Sequence, residues 1–235
     1  MKLGLNSTTF NNDTNLLNKL LSENLIQKFE VTKLFYLNNK KYLEKICDSK
    51  NCETFSSLII NDYNLNDIND RKKFLSEFCE TCKMASDLGC SNLMFGMARF
   101  RENVNDNIYN FFKQLLYIAK EYNLNLLYEA ISNKNTKVNW INNHFELIDF
   151  SKNLTDKIHI DFGTIKNENE DFGLIYDECC RNNIKIHNVH YSFADNIIPE
   201  IILLDLDISL ENYTDKCLNE QEIINKLNEL KNFIN

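Results

Sequence analysis

The chain has few of the residues that bend or break a backbone. Its 235 residues include five glycines and one proline, Pro199. With so little glycine, a loop that cradles phosphate through backbone N–H groups has little to be built from. No Pro/Gly-rich stretch marks a linker, so a single domain spanning 1–235 is the expectation. No apolar run reaches the roughly 20 residues that cross a bilayer. The opening "MKLGLNSTTF" shows neither an apolar h-region nor a small-residue cleavage site. The expectation is a cytoplasmic protein without a membrane span or secretory signal. A basic cluster is missing too: 26 Lys and Arg face 34 Asp and Glu, a formal net charge of −8. That balance disfavours a nucleic-acid backbone as partner.

Eight cysteines in a chain with no export signal read as reduced thiols. Cys79 and Cys82 form a C-x-x-C within a helical pattern rather than at a helix start, which favours core packing over redox work. Cys47 and Cys52 have no neighbouring histidine, so a zinc ribbon is not implied. The tripeptide Asp-Phe-Gly occurs twice, at 161–163 and 171–173. In protein kinases it carries a Mg²⁺-binding aspartate, but the Gly-rich loop, the Val-Ala-Ile-Lys strand and the His-Arg-Asp loop are all missing here. The second copy sits in an acidic, Asn-rich helix start and reads as coincidence. Asp161 therefore needs another explanation.

Eight β-type runs punctuate the chain: residues 2–7, 31–37, 55–60, 91–96, 123–129, 156–161, 183–191 and 200–207. Between most of them lie apolar residues at helical spacing, such as Leu16, Leu17, Leu20 and Leu21, or Phe74, Phe78, Cys82 and Ala85 closed by Gly89. Eightfold strand–helix alternation predicts a parallel sheet, most economically a (β/α)8 TIM barrel. The connections at 38–53 and 192–199 are thin for that fold, which keeps a doubly wound open sheet as the second architecture.

In such a barrel the C-terminal strand ends carry the chemistry. Glu129, Asp161, His190 and the pair Asp205 and Asp207 fall at those ends. Three carboxylates and an imidazole suit a divalent metal: Mn²⁺, Mg²⁺, Co²⁺ or Zn²⁺. A lone acid at a strand end is also often a helix N-cap. His159 shares the inward parity of Asp161. His187 has the opposite parity to His190 and is expected to face the helices, and His144 is expected to be solvated on its helix. Trp140 reads as core.

Several stretches resemble the sugar phosphate isomerase/epimerase branch of the xylose isomerase-like TIM barrels, a superfamily that also holds AP endonuclease family 2. "FSSLI" resembles that branch's third strand. "MASDLGCSNLMFGMARFRENV" resembles a helix end followed by a strand closing Phe-Gly-Ser-Pro-x-x-Arg, with Met97 and Ala98 in place of Ser-Pro. "YEAIS", "HIDFG" and "NVHYS" resemble the ends of strands five, six and seven. The match runs from about residue 1 to 192 of the 235. It implies metal ligation by Glu129, Asp161 and His190. The family's fourth ligand is a Glu on strand eight, for which Asp207 is the substitute here and Asp205 the second choice. The implied activity is proton transfer on a small carbohydrate through an enediolate. By that resemblance Glu129 and Asp207 are expected to share the roles of proton donor and acceptor, and Arg101, His159 and Asp205 are expected to bind substrate. Thr164 stands where family members often have His, and the segment before strand eight is short. The alternative is an inactive barrel that binds a small ligand or a protein partner. The resemblance leaves homo-oligomerisation open. A DNA-repair endonuclease on the same barrel would need many histidines over several strands. This chain has four in all, none on the first four strands.

Overall fold

Eight parallel strands hydrogen-bond in chain order, and the last pairs with the first to close a barrel. They are β1 (Leu3–Asn6), β2 (Lys28–Thr32), β3 (Thr54–Ser57), β4 (Asn92–Gly96), β5 (Asn125–Glu129), β6 (Lys157–Asp161), β7 (Lys185–Ser192) and β8 (Ile208–Glu211). The computed structural model describes residues 1–10, 13–47, 51–57, 63, 67–96, 107–132, 141–192, 204–212 and 218–234. Eight helices occur among them: α1 (Thr14–Ser22), α2 (Lys33–Ile46), α3 (Ile68–Asp87), α4 (Asn107–Glu121), α5 (His144–Ser151), α6 (Phe162–Glu168), α7 (Phe172–Arg181) and α8 (Glu220–Ile234). Arg101, Trp140 and the 193–203 connection lie outside the described residues. No described helix is long and apolar enough to cross a membrane.

The architecture is the (β/α)8 barrel, not the open sheet. Two strands lie elsewhere than the sequence suggests. The run at 31–37 is a strand only to Thr32, whose hydroxyl accepts the Phe35 N–H and starts α2. Phe35 and Tyr36 then pack inward on the helix while Leu34 and Leu37 are 55 % exposed. The connection at 38–53 is therefore mostly helix. Strand eight is not the run at 200–207: residues 204–205 form a turn, with Asp205 at φ 53°, and the strand begins at Ile208.

Each strand presents two faces of opposite character. Outward residues such as Phe29, Phe55, Phe95, Tyr128, Ile160, Val189, Tyr191 and Leu210 are buried against the helices. An aromatic cluster fills this layer near α3, α4 and α5. Its ring centroids lie 5.9 Å apart for Phe74–Phe95, 5.7 Å for Phe112–Tyr128 and 5.1 Å for Phe112–Phe150. Inward positions, which in many barrels hold branched aliphatics, here mostly carry polar residues: Asn6, Lys28, Glu30, Ser56, Asn92, Glu129, His159, Asn188, His190, Ser209 and Glu211, all buried, with Met94 and Leu127 the apolar exceptions. So the apolar core lies between barrel and helices, and the lumen is polar.

Scarcity of glycine also shapes the helix ends. Gly89 (φ 77°) follows α3, but Asn24, Asn123, Asn169 and Asn183 take left-handed φ values after α1, α4, α6 and α7. Asparagine tolerates that region better than other side chains, so it does the work of glycine here.

The two Asp-Phe-Gly copies prove to be the same local device. Asp161 caps α6, accepting from Gly163 N and Thr164 N, and Asp171 caps α7, accepting from Leu174 N. A Cβ at Gly163 would stand 3.3 Å from the Asp161 carboxylate, and one at Gly173 3.1 Å from that of Asp171. Each glycine leaves room for the capping side chain.

Candidate metal centre and active site

The C-terminal ends of β5 and β8 bring two glutamates to the ring of His190 on β7. His190 Nδ1 lies 2.8 Å from Glu211 Oε1 and 3.6 Å from Glu129 Oε1. Its Nε2 lies 2.8 Å from Glu30 Oε2, on the opposite side of the ring. His159 sits against this ring, with centroids 3.8 Å apart and planes near perpendicular. Its Nε2 is 3.7 Å from Glu129 Oε1. Two overlapping sets have donor atoms within 4.8 Å of one another: Glu129 with His159 and His190, and Glu30 with His190 and Glu211.

Several polar atoms of this cluster are unused. Glu129 Oε1, His190 Nδ1 and Glu211 Oε2 are buried and find no hydrogen-bond partner among the described residues. Buried polar groups are rarely left so. With Nε2–H donated to Glu30, the lone pair of Nδ1 points at two carboxylates, an arrangement that repels unless a cation or a proton lies between them. Oxygen and imidazole donors suit a divalent ion, so the residues fit the metal that the sequence resemblance implies. Gly96 is paired with Glu129 across β4 and β5. A Cβ there would come 3.4 Å from Glu129 Oε2 and 2.7 Å from Ile131 Cδ1, so glycine keeps the carboxylate unobstructed.

Electrostatics are dominated by burial of three acids around one imidazole. Burial pushes Glu211 up to about 8, with the charges of Glu129 and Glu30 adding to it and His190 opposing. Burial also raises Glu129, helped by the charges of Asp161 and Glu30. Burial would lower His190, but Glu211 and Glu30 outweigh it and hold the ring well above its ordinary value. Glu30 is the reverse case: burial would raise it, but His190, His159 and Lys28 hold it well below the usual carboxylate range.

These directions set a pH dependence for the metal-free protein. Glu211 ionises near 4.5 when unfolded and near 8 when folded. The folded state therefore keeps a proton that the unfolded chain releases. The stability this contributes is full below about 4.5 and is lost as pH rises through about 8. His190, raised as well, adds to the loss in the alkaline direction. Glu30 contributes above the ordinary carboxylate range and is lost only in acid. Chelator-treated protein is thus expected to melt at steadily lower temperature from about pH 6 to pH 9. A melting temperature that climbed over that range would show Glu211 already ionised throughout.

The sequence-derived site residues meet different fates. Glu129 and His190 come together as expected, and His159 lies beside them. Asp161 ends β6 on the same side, but both its oxygens are engaged: Oδ1 by Gly163 N at 3.1 Å, Oδ2 by Thr164 N and Thr164 Oγ1 at 2.9 Å each. Asp207 is at the wrong end. It precedes β8 at the barrel floor, where its carboxylate accepts from Lys2 N at 2.6 Å and from Lys28 Nζ at 3.2 Å. Asp205 is exposed and pairs with the Met1 amino group. Once β8 is placed at 208–211, strand eight does end in a glutamate, Glu211. The signal was available in "ISLE", where Ile208 and Leu210 alternate with Ser209 and Glu211.

Two histidines also differ from expectation. The β6–β7 register shifts between Ile158 and His159, where Ile158 faces Ile186 but His159 faces Asn188. The extra residue is His187. Its Nε2 lies 3.1 Å from Asn92 Nδ2 on β4, across the lumen, so the bulge overturns the parity argument. His144 is fully buried rather than solvated. Its Nδ1 is 2.6 Å from Glu170, and its Nε2 accepts the Asp161 N–H at 3.4 Å.

Comparison with known proteins follows the same lines. No family profile matches the chain, and no curated protein sequence matches it. Solved structures do. L-ribulose 3-epimerase superposes at a TM-score of 0.75 with 14 % identity, covering 99 % of this chain and 93 % of that one. D-psicose 3-epimerase from Clostridium cellulolyticum, solved with D-tagatose, gives 0.75 and 13 % over 100 % and 98 %. The IolI protein, solved with a bound zinc atom, gives 0.74 and 13 % over 100 % and 98 %. The chain thus shares the (β/α)8 barrel fold of these solved structures, two of which are sugar 3-epimerases.

Proposed function

We propose that this protein is a divalent-metal-dependent isomerase or epimerase of a small carbohydrate. The observation that carries the reading is the convergence of Glu129, His190 and Glu211 with one unpartnered donor atom each. Glu129, His190 and Glu211 would hold the ion, with Asp161 the fourth candidate beside Glu129. The ion could be Mn²⁺, Mg²⁺, Co²⁺ or Zn²⁺, and it would supply Lewis-acid polarisation of a substrate carbonyl and its neighbouring hydroxyl.

The remaining chemistry falls to the two glutamates. They stand on β5 and β8, three strands apart, so a sugar between them meets a carboxylate on each side. One removes the proton from the carbon beside the carbonyl. The C–H electron pair becomes the C=C bond of an enediolate and the carbonyl π pair moves to oxygen. The other glutamate returns a proton. Burial of these side chains strengthens each of these interactions. Glu211 also removes one reason for an inactive barrel, since strand eight carries its glutamate.

The test is incubation of the Mn²⁺- or Co²⁺-loaded protein with a panel of free and phosphorylated ketoses and aldoses in D₂O. The expected result is an epimer or isomer carrying deuterium at the reacting carbon. Metal-loaded protein that exchanges no carbon-bound proton with any of them would sink the enzymatic reading.

A further inference from the structure

Glu30 is a buried carboxylate that the proposed reaction does not use. It sits on β2, 1 % exposed, inside the lumen. Three strands aim four donor groups at it. Asn188 Nδ2 on β7 donates to Oε1 at 2.7 Å. Oε2 faces His190 Nε2 at 2.8 Å and accepts from Asn6 Nδ2 on β1 and Ser56 Oγ on β3 at 3.3 Å each. Asn188 is itself pinned: its Oδ1 accepts from Lys28 Nζ at 3.2 Å, and its Nδ2 also reaches Ser209 Oγ at 3.0 Å. So Glu30 cannot swing without breaking a chain that runs Lys28, Asn188, Glu30, His190.

An imidazole offers a lone pair at one nitrogen only when the other holds the proton, and the partner of the second nitrogen decides which. We propose that Glu30 is a positioning residue: by accepting the Nε2 proton of His190 it fixes the ring so that Nδ1 faces Glu129 and Glu211 as a metal ligand. This rests on the metal-centre reading above. The His159 ring blocks rotation from one side, and Glu30 supplies the direction. Asn6 completes the arrangement. Besides touching Glu30 it donates to Glu211 Oε1 at 2.7 Å, so one amide spaces the positioning carboxylate from the ligating one.

Metal titration of four proteins tests this: wild type, Glu30→Gln, Glu30→Leu and His190→Ala, each with Co²⁺ followed by calorimetry and visible absorption. Glutamine keeps an acceptor for Nε2–H without the charge, and leucine keeps neither. The expected order of affinity is wild type, then Gln, then Leu, with Gln weaker by roughly 10–100-fold. The cobalt absorption of the Gln variant should match wild type, because the first coordination sphere is intact. Unchanged affinity in Glu30→Gln, with His190→Ala abolishing binding, would overturn the proposal and leave the metal centre standing. Loss as complete as in His190→Ala, with an altered cobalt spectrum, would make Glu30 a ligand instead and also overturn it. If the wild type binds no metal, the metal-centre reading itself has failed. A readout free of metal is the ring N–H resonance of His190. It should be far downfield and slowly exchanging in wild type, and should move upfield in Glu30→Gln, which carries the test if the leucine variant does not fold. A resonance that stays in place would count against Glu30.

Discussion

Glu211→Gln is expected to remove catalysis and divalent-metal binding together, whereas Asp207→Asn leaves both in place. Glu211 is buried at the C-terminal end of β8, with Oε1 2.8 Å from His190 Nδ1 and Oε2 unpartnered. Removing a carboxylate that both holds the ion and moves a proton should lower kcat by about 10²–10⁴-fold. Asp207 lies four residues earlier, at the opposite end of the barrel. It pairs with Lys28, whose ammonium also donates to Asn188. Its loss leaves a buried lysine short of a counter-charge, which costs stability rather than activity. Breaking a fully buried pair costs about 3–5 kcal/mol. The Asp207 side chain is 24 % exposed, so the cost here should be smaller. Steady-state kinetics, metal titration and melting of the two variants check this. Activity lost in Asp207→Asn but kept in Glu211→Gln would return the fourth position to Asp207.

Stripping the metal is expected to lower the melting temperature by roughly 8–16 °C. Three buried carboxylates around one imidazole repel one another, and a dication offsets that repulsion only in the folded state. A ligand present at a thousand times its dissociation constant stabilises by about 4 kcal/mol. For a domain of this size each kcal/mol moves the midpoint by roughly 2–4 °C. Melts of chelator-dialysed protein with and without added Mn²⁺ or Co²⁺ measure it. His190→Ala should abolish the increment, because it removes the donor shared by both candidate ligand sets. An identical midpoint with and without metal would show that the cluster is held by protons alone.

Much of this was legible in the chain. Outward residues such as Phe29, Phe95 and Tyr128 and the helical stripe of Phe74, Phe78 and Cys82 fix strand–helix alternation, because period-2 and period-3.6 patterns each permit one local structure. The strand ends at Glu129, Asp161 and His190 follow from short apolar runs that stop on a polar residue. Both Asp-Phe-Gly copies read as helix starts once a capping carboxylate and a small second residue are sought.

Tertiary structure decided the rest. Apolar content alone favoured 200–207 as strand eight over "ISLE". Closure of the barrel selects the latter, because β8 must pair with β1 at Leu3↔Ile208 and with β7 at Val189↔Ile208. That register sends Glu211 to the mouth and Asp207 to the floor. The β6–β7 bulge turns His187 inward, against the local parity. The alternation in "ISLE" offers a strand without choosing it over 200–207, because which residue pairs across a closed sheet depends on strands 205 residues apart in sequence. Glu30 carries no local signal either. An acid in the second strand becomes a partner of His190 only when the barrel closes and brings β2 and β7 face to face across the lumen.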